Sequence, residues 1–211
     1  MSTGNLQGAI NQAMAICWDE GYGYNLGGMA HSYSDGVDCS GLVGRCLSDN
    51  GFNYPSYHVG TINMKPALIT AGFTIIPVTT LSPAVMSGDI VVLNHLDMTG
   101  GHTFFYVENI QAYTDPNAYS ANIGLVQHAK VEASSTRGHT TQGDHRRDGT
   151  GAYWEVWCHA YSSLISGYDP DDPNDEIYIA RWPEGLNYNG AIAGLLLGIP
   201  AFIHKRRHRR F

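Results

Sequence analysis

The eight residues Gly36-Val37-Asp38-Cys39-Ser40-Gly41-Leu42-Val43 constrain the fold more than any other stretch of the chain. They set one cysteine between an extended run and a helical one. Leu42, Val43, Cys46 and Leu47 fall at i, i+1, i+4 and i+5, a helical stripe that Asn50-Gly51 stops. The pattern predicts a helix to about Asp49 with Cys39 in its first turn. A thiol there sits among unpaired backbone N–H groups at the positive end of the helix dipole. Both favour the thiolate, the nucleophilic form. Ser40-Gly41 adds two small residues, which lets backbone and substrate come close. The competing reading is a small buried thiol near a helix start, since free cysteines are commonly buried.

Two later segments favour chemistry over packing. Ser87-Gly88-Asp89-Ile90-Val91-Val92-Leu93 and Gly100-Gly101-His102-Thr103-Phe104-Phe105-Tyr106-Val107 are each a turn followed by an apolar, β-rich run. His102 opens the second strand and can offer one ring nitrogen to a nearby thiol. A cysteine nucleophile needs such a base, and the base needs a third group to orient it.

The order of these segments resembles the NlpC/P60 and CHAP group of cysteine amidohydrolases, including phage peptidoglycan amidases. The matching residues are Asp38-Cys39-Ser40-Gly41, Gly88-Asp89 and Gly101-His102. Tyr24-Asn25-Leu26-Gly27-Gly28 resembles the family's Tyr-x-Tyr-Gly-Gly segment, with Leu26 in place of the second aromatic. Val131-Glu132-Ala133-Ser134-Ser135-Thr136-Arg137-Gly138 resembles the strand that carries the third catalytic residue. The likeness covers about residues 5 to 165. It implies a papain-like α+β fold, helices packed on a central antiparallel sheet, with Cys39 at a helix N-terminus and His102 on the facing strand. It also implies that Tyr24 donates a hydroxyl near Cys39, although Tyr22, Tyr24 and Tyr33 are otherwise ordinary loop aromatics.

Two residues compete for the third position. Glu132 occupies the place that the resemblance assigns to the orienting group, where many relatives have histidine. Its carboxylate can accept from the ring N–H of His102 and stabilise the imidazolium. His128, in Val126-Gln127-His128-Ala129, is the alternative and has the same parity, so both can face one side of a strand. Glu132 is preferred because the match continues beyond it. Asp38 is expected to fix the local turn, and Ser40 to help position substrate. His31, His58, His95, His139 and His145 have no motif around them and read as loop residues.

Charge and cysteines narrow the setting. The formal net charge is −7, but Lys205, Arg206, Arg207, Arg209 and Arg210 belong to the tail. The rest carries seven cationic against nineteen acidic side chains, about −12, which argues against nucleic acid as a partner. Cys17, Cys39, Cys46 and Cys158 show no CxxC and no metal-ligand spacing, and Met1-Ser2-Thr3-Gly4 leads straight into an amphipathic helix rather than a signal peptide. The thiols read as reduced and the chain as made in a cytoplasm. No cofactor or metal is expected. The acidic run Gly167–Glu176 could hold calcium, but its spacing departs from the EF-hand loop, and a linker is the default.

Along the chain, helices are predicted over residues 5–20, 39–49 and about 61–68, and strands over 72–78, 89–94, 102–110, 123–133 (broken at Gln127-His128) and 153–161. Ile177–Trp182 adds a possible edge strand. The loop 134–151 holds Arg137, Arg146 and Arg147, which could fork onto substrate carboxylates but fit a solvated loop better. The division is a catalytic domain over 1–166, an acidic linker over 167–189 and a tail over 190–211. That tail has a fourteen-residue apolar run, Gly190 to Ile203, and then a basic end. Fourteen residues fall short of the roughly twenty that span a bilayer. Surface contact with membrane or wall polymer, or with a virion protein or partner chain, is the expectation for it.

The resemblance makes peptidoglycan the expected substrate. The bond would be the muramoyl-L-alanine amide or one within the stem peptide, cut through a cysteine thioester. A wall enzyme without a signal peptide suits a phage lysin, a tail-borne hydrolase or an injected antibacterial effector, delivered by the virion or through a holin. The alternatives are a cysteine amidohydrolase or protease with an intracellular substrate, and a catalytically silent virion or binding protein of the same fold.

Overall fold

A computed structural model describes residues 4–19, 22–32, 34–78, 85–97, 100–113, 123–134, 151–156 and 172–184, with backbone alone for 113, 123 and 151–156. The expectations for Tyr33, Arg137, His139, His145, Arg146, Arg147, Cys158 and the tail 190–211 lie outside the described residues.

The fold is α+β. Three helices, α1 (Leu6–Trp18), α2 (Cys39–Asp49) and α3 (Thr61–Ala71), precede an antiparallel sheet. Its strands are β1 (Thr74–Pro77), β2 (Ile90–His95), β3 (Gly101–Tyr113), β4 (Ile123–Ser134), β5 (Gly151–Val156) and β6 (Asp175–Arg181). The order across the sheet is β1-β6-β2-β3-β4-β5.

Each helix begins or ends on a local signal. Asn5 caps α1 by accepting from the Gly8 N–H, and Asp38 caps α2 by accepting from the Gly41 N–H at 2.6 Å. Gly72 ends α3 in the left-handed region, φ 101°, where a side chain would be strained. The sheet then separates two apolar layers. Ile90, Val92, Phe105, Val107, Ala129, Val131, Ala133, Tyr178 and Ala180 share the main core with the helices. Val91, Leu93, Phe104, Ile177 and Ile179 form a smaller cluster with Val78 on the other face. This two-residue alternation follows from the strand pleat.

Two expectations are corrected. β6 is not an edge strand: it lies between β1 and β2, pairing with both. Asp175–Arg181 therefore belongs to the sheet of the main domain rather than to a linker. Buried Asp89 explains the placement, because it accepts from Arg181 Nε at 2.9 Å and Nη2 at 2.7 Å, a two-pronged pair that ties the end of β6 to the start of β2. Phe52, Phe73 and Trp182 pack together just beyond. The second correction concerns β4, which runs unbroken through Gln127-His128. The irregularity is on its partner, where Asn109 of β3 has φ 54°.

The described acidic residues just before β6 and at its start have protein partners. Asp172 accepts from the N–H of Asn174, Asp175 pairs with His95 Nδ1 at 2.5 Å, and Glu176 pairs with Lys65. Among the described residues no group of three or more His, Cys, Asp or Glu side chains is placed to hold a metal, and no helix is long and apolar enough to cross a membrane.

Candidate active site

Cys39 is the first residue of α2, directly after its cap. The N–H groups of a helix's first turn have no acceptor inside the helix. Asp38 takes that of Gly41, which leaves the Cys39 N–H at the thiol's own position. The cap does more than end a helix. Asp38 Oδ1 also accepts from Ser40 Oγ at 3.0 Å, and Oδ2 accepts from the Gly27 N–H at 2.7 Å and meets His58 Nε2 at 2.8 Å. Four partners saturate the carboxylate and join the Tyr24–Gly28 loop, the helix start and His58 into one unit. Asp38 is thus a structural pin beside the nucleophile.

Gly41 shows how close the loop comes. A Cβ at Gly41 would lie 1.8 Å from the Gly28 carbonyl oxygen, which accepts from the Asp38 N–H at 3.2 Å. Only glycine fits at that crossing. Tyr24 pairs with Val37 in a single parallel bridge, which holds its ring near the thiol. Burial, with the negative charges of Cys39 and Asp38 adding to it, pushes the Tyr24 phenol up to about 12. It therefore remains a neutral hydroxyl. No hydrogen bond joins it to Cys39 among the described residues.

His102 is the second residue of β3 and shares its face with Phe104, whose ring centroid is 5.8 Å away. Register places Phe105 opposite Val131, so Phe104 faces Glu132 across the strands and His102 is the diagonal neighbour of Glu132. His102 Nε2 lies 2.5 Å from Glu132 Oε2. Glu132 can only accept, so Nε2 carries the hydrogen and Nδ1 is left for the thiol of Cys39, which interacts with the ring. Burial acts on the imidazole most and favours its neutral form. The Glu132 carboxylate, together with Cys39, outweighs that and raises His102 to about 9. The Glu132 side chain is 1% exposed, and burial opposes its charge. Lys130 and His102 reverse the balance and hold it well below the usual carboxylate range.

His128 is elsewhere. It pairs across the strands with Glu108, its Nδ1 lies 2.7 Å from the Tyr106 hydroxyl, and its side chain is 42% exposed. It shares the face of Glu132 but lies four residue pairs farther from His102 along the ladder. The structure therefore brings together Cys39, His102 and Glu132, with Asp38, Ser40 and Tyr24 around the thiol, and leaves His128 aside.

Two residues at the site escape the sequence reading. His58 appears as an unpatterned loop histidine yet bonds Asp38 and lies 3.1 Å from Ser40 Oγ. Lys130 appears as ordinary strand alternation, although its spacing of two from Glu132 puts both on one face. Its Nζ is 3.1 Å from Glu132 Oε2. The remaining described thiols are not at the site. Cys17 donates to the Glu132 carbonyl oxygen at 3.7 Å, and burial pushes the Cys46 thiol far up.

No protein-family model matches the chain, and no curated protein matches it.

Proposed function

We propose that this chain is a cysteine amidohydrolase of papain-like, NlpC/P60-type architecture that cuts an amide bond in bacterial peptidoglycan. The observation that carries the reading is a cysteine at the first position of a helix, interacting with a histidine whose Nε2 is held by a buried carboxylate at 2.5 Å. This is the base-and-orienter arrangement a nucleophilic thiol requires. The motif order of the NlpC/P60 and CHAP group supports the choice of wall peptide as substrate.

In the proposed reaction, His102 Nδ1 takes the Cys39 proton and the thiolate attacks the amide carbonyl. The Cys39 N–H, at the start of α2, stabilises the oxyanion. The imidazolium then protonates the leaving amine, and water releases the acyl group from the thioester as His102 again removes a proton. Glu132 keeps the ring oriented and stabilises its charged form. Delivery by a phage or as an injected effector is the setting that the resemblance suggests, and the tail would supply surface contact.

The test is turbidity loss and fragment mass spectrometry on purified peptidoglycan, wild type beside Cys39→Ala. Fragments released by wild type alone are expected, and their masses name the bond. Equal inertness of both proteins on walls from several bacterial types would overturn the wall reading.

A further inference from the structure

Lys130 is an unusual neighbour for an orienting carboxylate. It projects from β4 on the same face as Glu132, and its Nζ sits 3.1 Å from the same oxygen, Oε2, that holds His102. Its side chain is 13% exposed, and the ammonium lies 5.3 Å above the centre of the buried Phe104 ring. Phe104 also flanks His102, so one ring supports both partners of the carboxylate. A charge buried to this degree is costly unless it is paired.

Proton bookkeeping shows what the lysine does. With the shared proton on sulfur the cluster holds a thiol, a neutral imidazole, a carboxylate and an ammonium, with no net charge. After the thiol proton moves to His102 Nδ1 it holds a thiolate, an imidazolium, a carboxylate and an ammonium, again with no net charge. Without Lys130 the cluster would carry one uncompensated negative charge in both states. We propose that Lys130 is a positioning residue of this site, whose ammonium balances the Glu132 carboxylate and keeps it from holding the His102 proton too tightly, so that the ring can both take up and release a proton. The inference deepens the hydrolase reading and rests on it for its catalytic meaning.

Among the described residues, the titratable groups facing this pair are Cys39 from α2, His102 from β3 and Lys130 from β4, with Tyr24 and Asp38 reaching the thiol side. Cys17 of α1 meets only the Glu132 backbone. Replacing the ammonium by a neutral group removes both the counter-ion of the carboxylate and a repulsive charge near the imidazolium. The imidazolium then holds its proton to higher pH.

The experiment is a pH titration of the His102 ring by 15N NMR on the full chain, assigned with His102→Gln. It compares wild type, Lys130→Met, Lys130→Gln and Lys130→Arg. The two neutral variants are expected to titrate about one pH unit above wild type, and the arginine variant close to it. Lys130→Gln keeps a polar head and serves if the methionine variant does not fold. An unshifted titration in a folded neutral variant overturns the proposal, as does an arginine variant that shifts as the neutral ones do. The titration needs no substrate. A shifted profile with no wall fragments would therefore count against the wall-hydrolase reading alone.

Discussion

Replacing Glu132 by glutamine should reverse the electrostatics of His102 while nearly preserving its shape. The amide oxygen can still accept from Nε2, so the loss is the negative charge. In the wild type the attraction of Glu132 and Cys39 exceeds the effect of burial enough to lift the imidazole from 6.5 to about 9. At 1.36 kcal/mol per unit that net preference is about 3 kcal/mol. With the carboxylate gone, burial and the neighbouring Lys130 ammonium both oppose the imidazolium, and the ring should titrate below 6.5. The stability signature has a defined window. A histidine raised in the folded state contributes stability that is complete below its unfolded value and is lost as pH rises through the folded one. A depressed carboxylate contributes above its unfolded value and loses that as pH falls. The gap between wild type and Glu132→Gln should therefore be widest between about pH 4.5 and 6.5 and should narrow as pH rises through about 9. Urea unfolding at pH 5.5 and 9.5, with the His102 ring followed by NMR, measures both quantities. A glutamine variant whose ring titrates within half a unit of wild type would show that Glu132 does not set the charge of the base.

Two further substitutions probe the geometry. Gly41→Ala places a methyl group 1.8 Å from the Gly28 carbonyl oxygen and should cost about 2–4 kcal/mol, read as a lower urea midpoint, together with loss of hydrolysis; an unchanged midpoint would mean the loop does not cross α2 as described. His128→Ala should lose only about 1 kcal/mol of stability and leave the rate of wall hydrolysis near that of wild type, because the ring contacts Tyr106 and solvent; a rate as low as that of Cys39→Ala would return His128 to the orienting role.

The helices and most strands could be read from the chain because their causes are local. Asn5 and Asp38 announce helix starts, Gly72 announces an end, and the two-residue alternation of β2 to β4 announces pleated strands. An acidic, proline-broken run before β6 suggests an edge position for it. Its real position depends on partners that no window of sequence contains. Asp89 and Arg181 are 92 residues apart, Lys65 and Glu176 are 111 apart, and His95 and Asp175 are 80 apart. The same distinction divides the site. The nucleophile's surroundings, from Tyr24 to Gly41, come from one continuous stretch, and glycine, aspartate and cysteine spacing marked them. His58 joins that unit from a loop seventeen residues beyond Gly41, with no pattern to signal it.

The base half of the site is set by strand register rather than by any motif. Parity alone leaves Glu132 and His128 equivalent, since both are even positions of one strand. The pairing of Phe105 with Val131 decides between them: it puts Glu132 diagonal to His102 and carries His128 out beside Tyr106. A slip of one residue between β3 and β4 would turn Glu132 and Lys130 toward the helices and bring Val131 or Ala133 to the histidine. Such a slip is opposed on both faces, because Ala129, Val131 and Ala133 fill the main core while the Lys130 and Glu132 charges satisfy one another on the other side. The lysine–glutamate pair thus acts in two ways. It penalises the register in which the base would have no orienting group, and in the correct register it supplies that group as an ion.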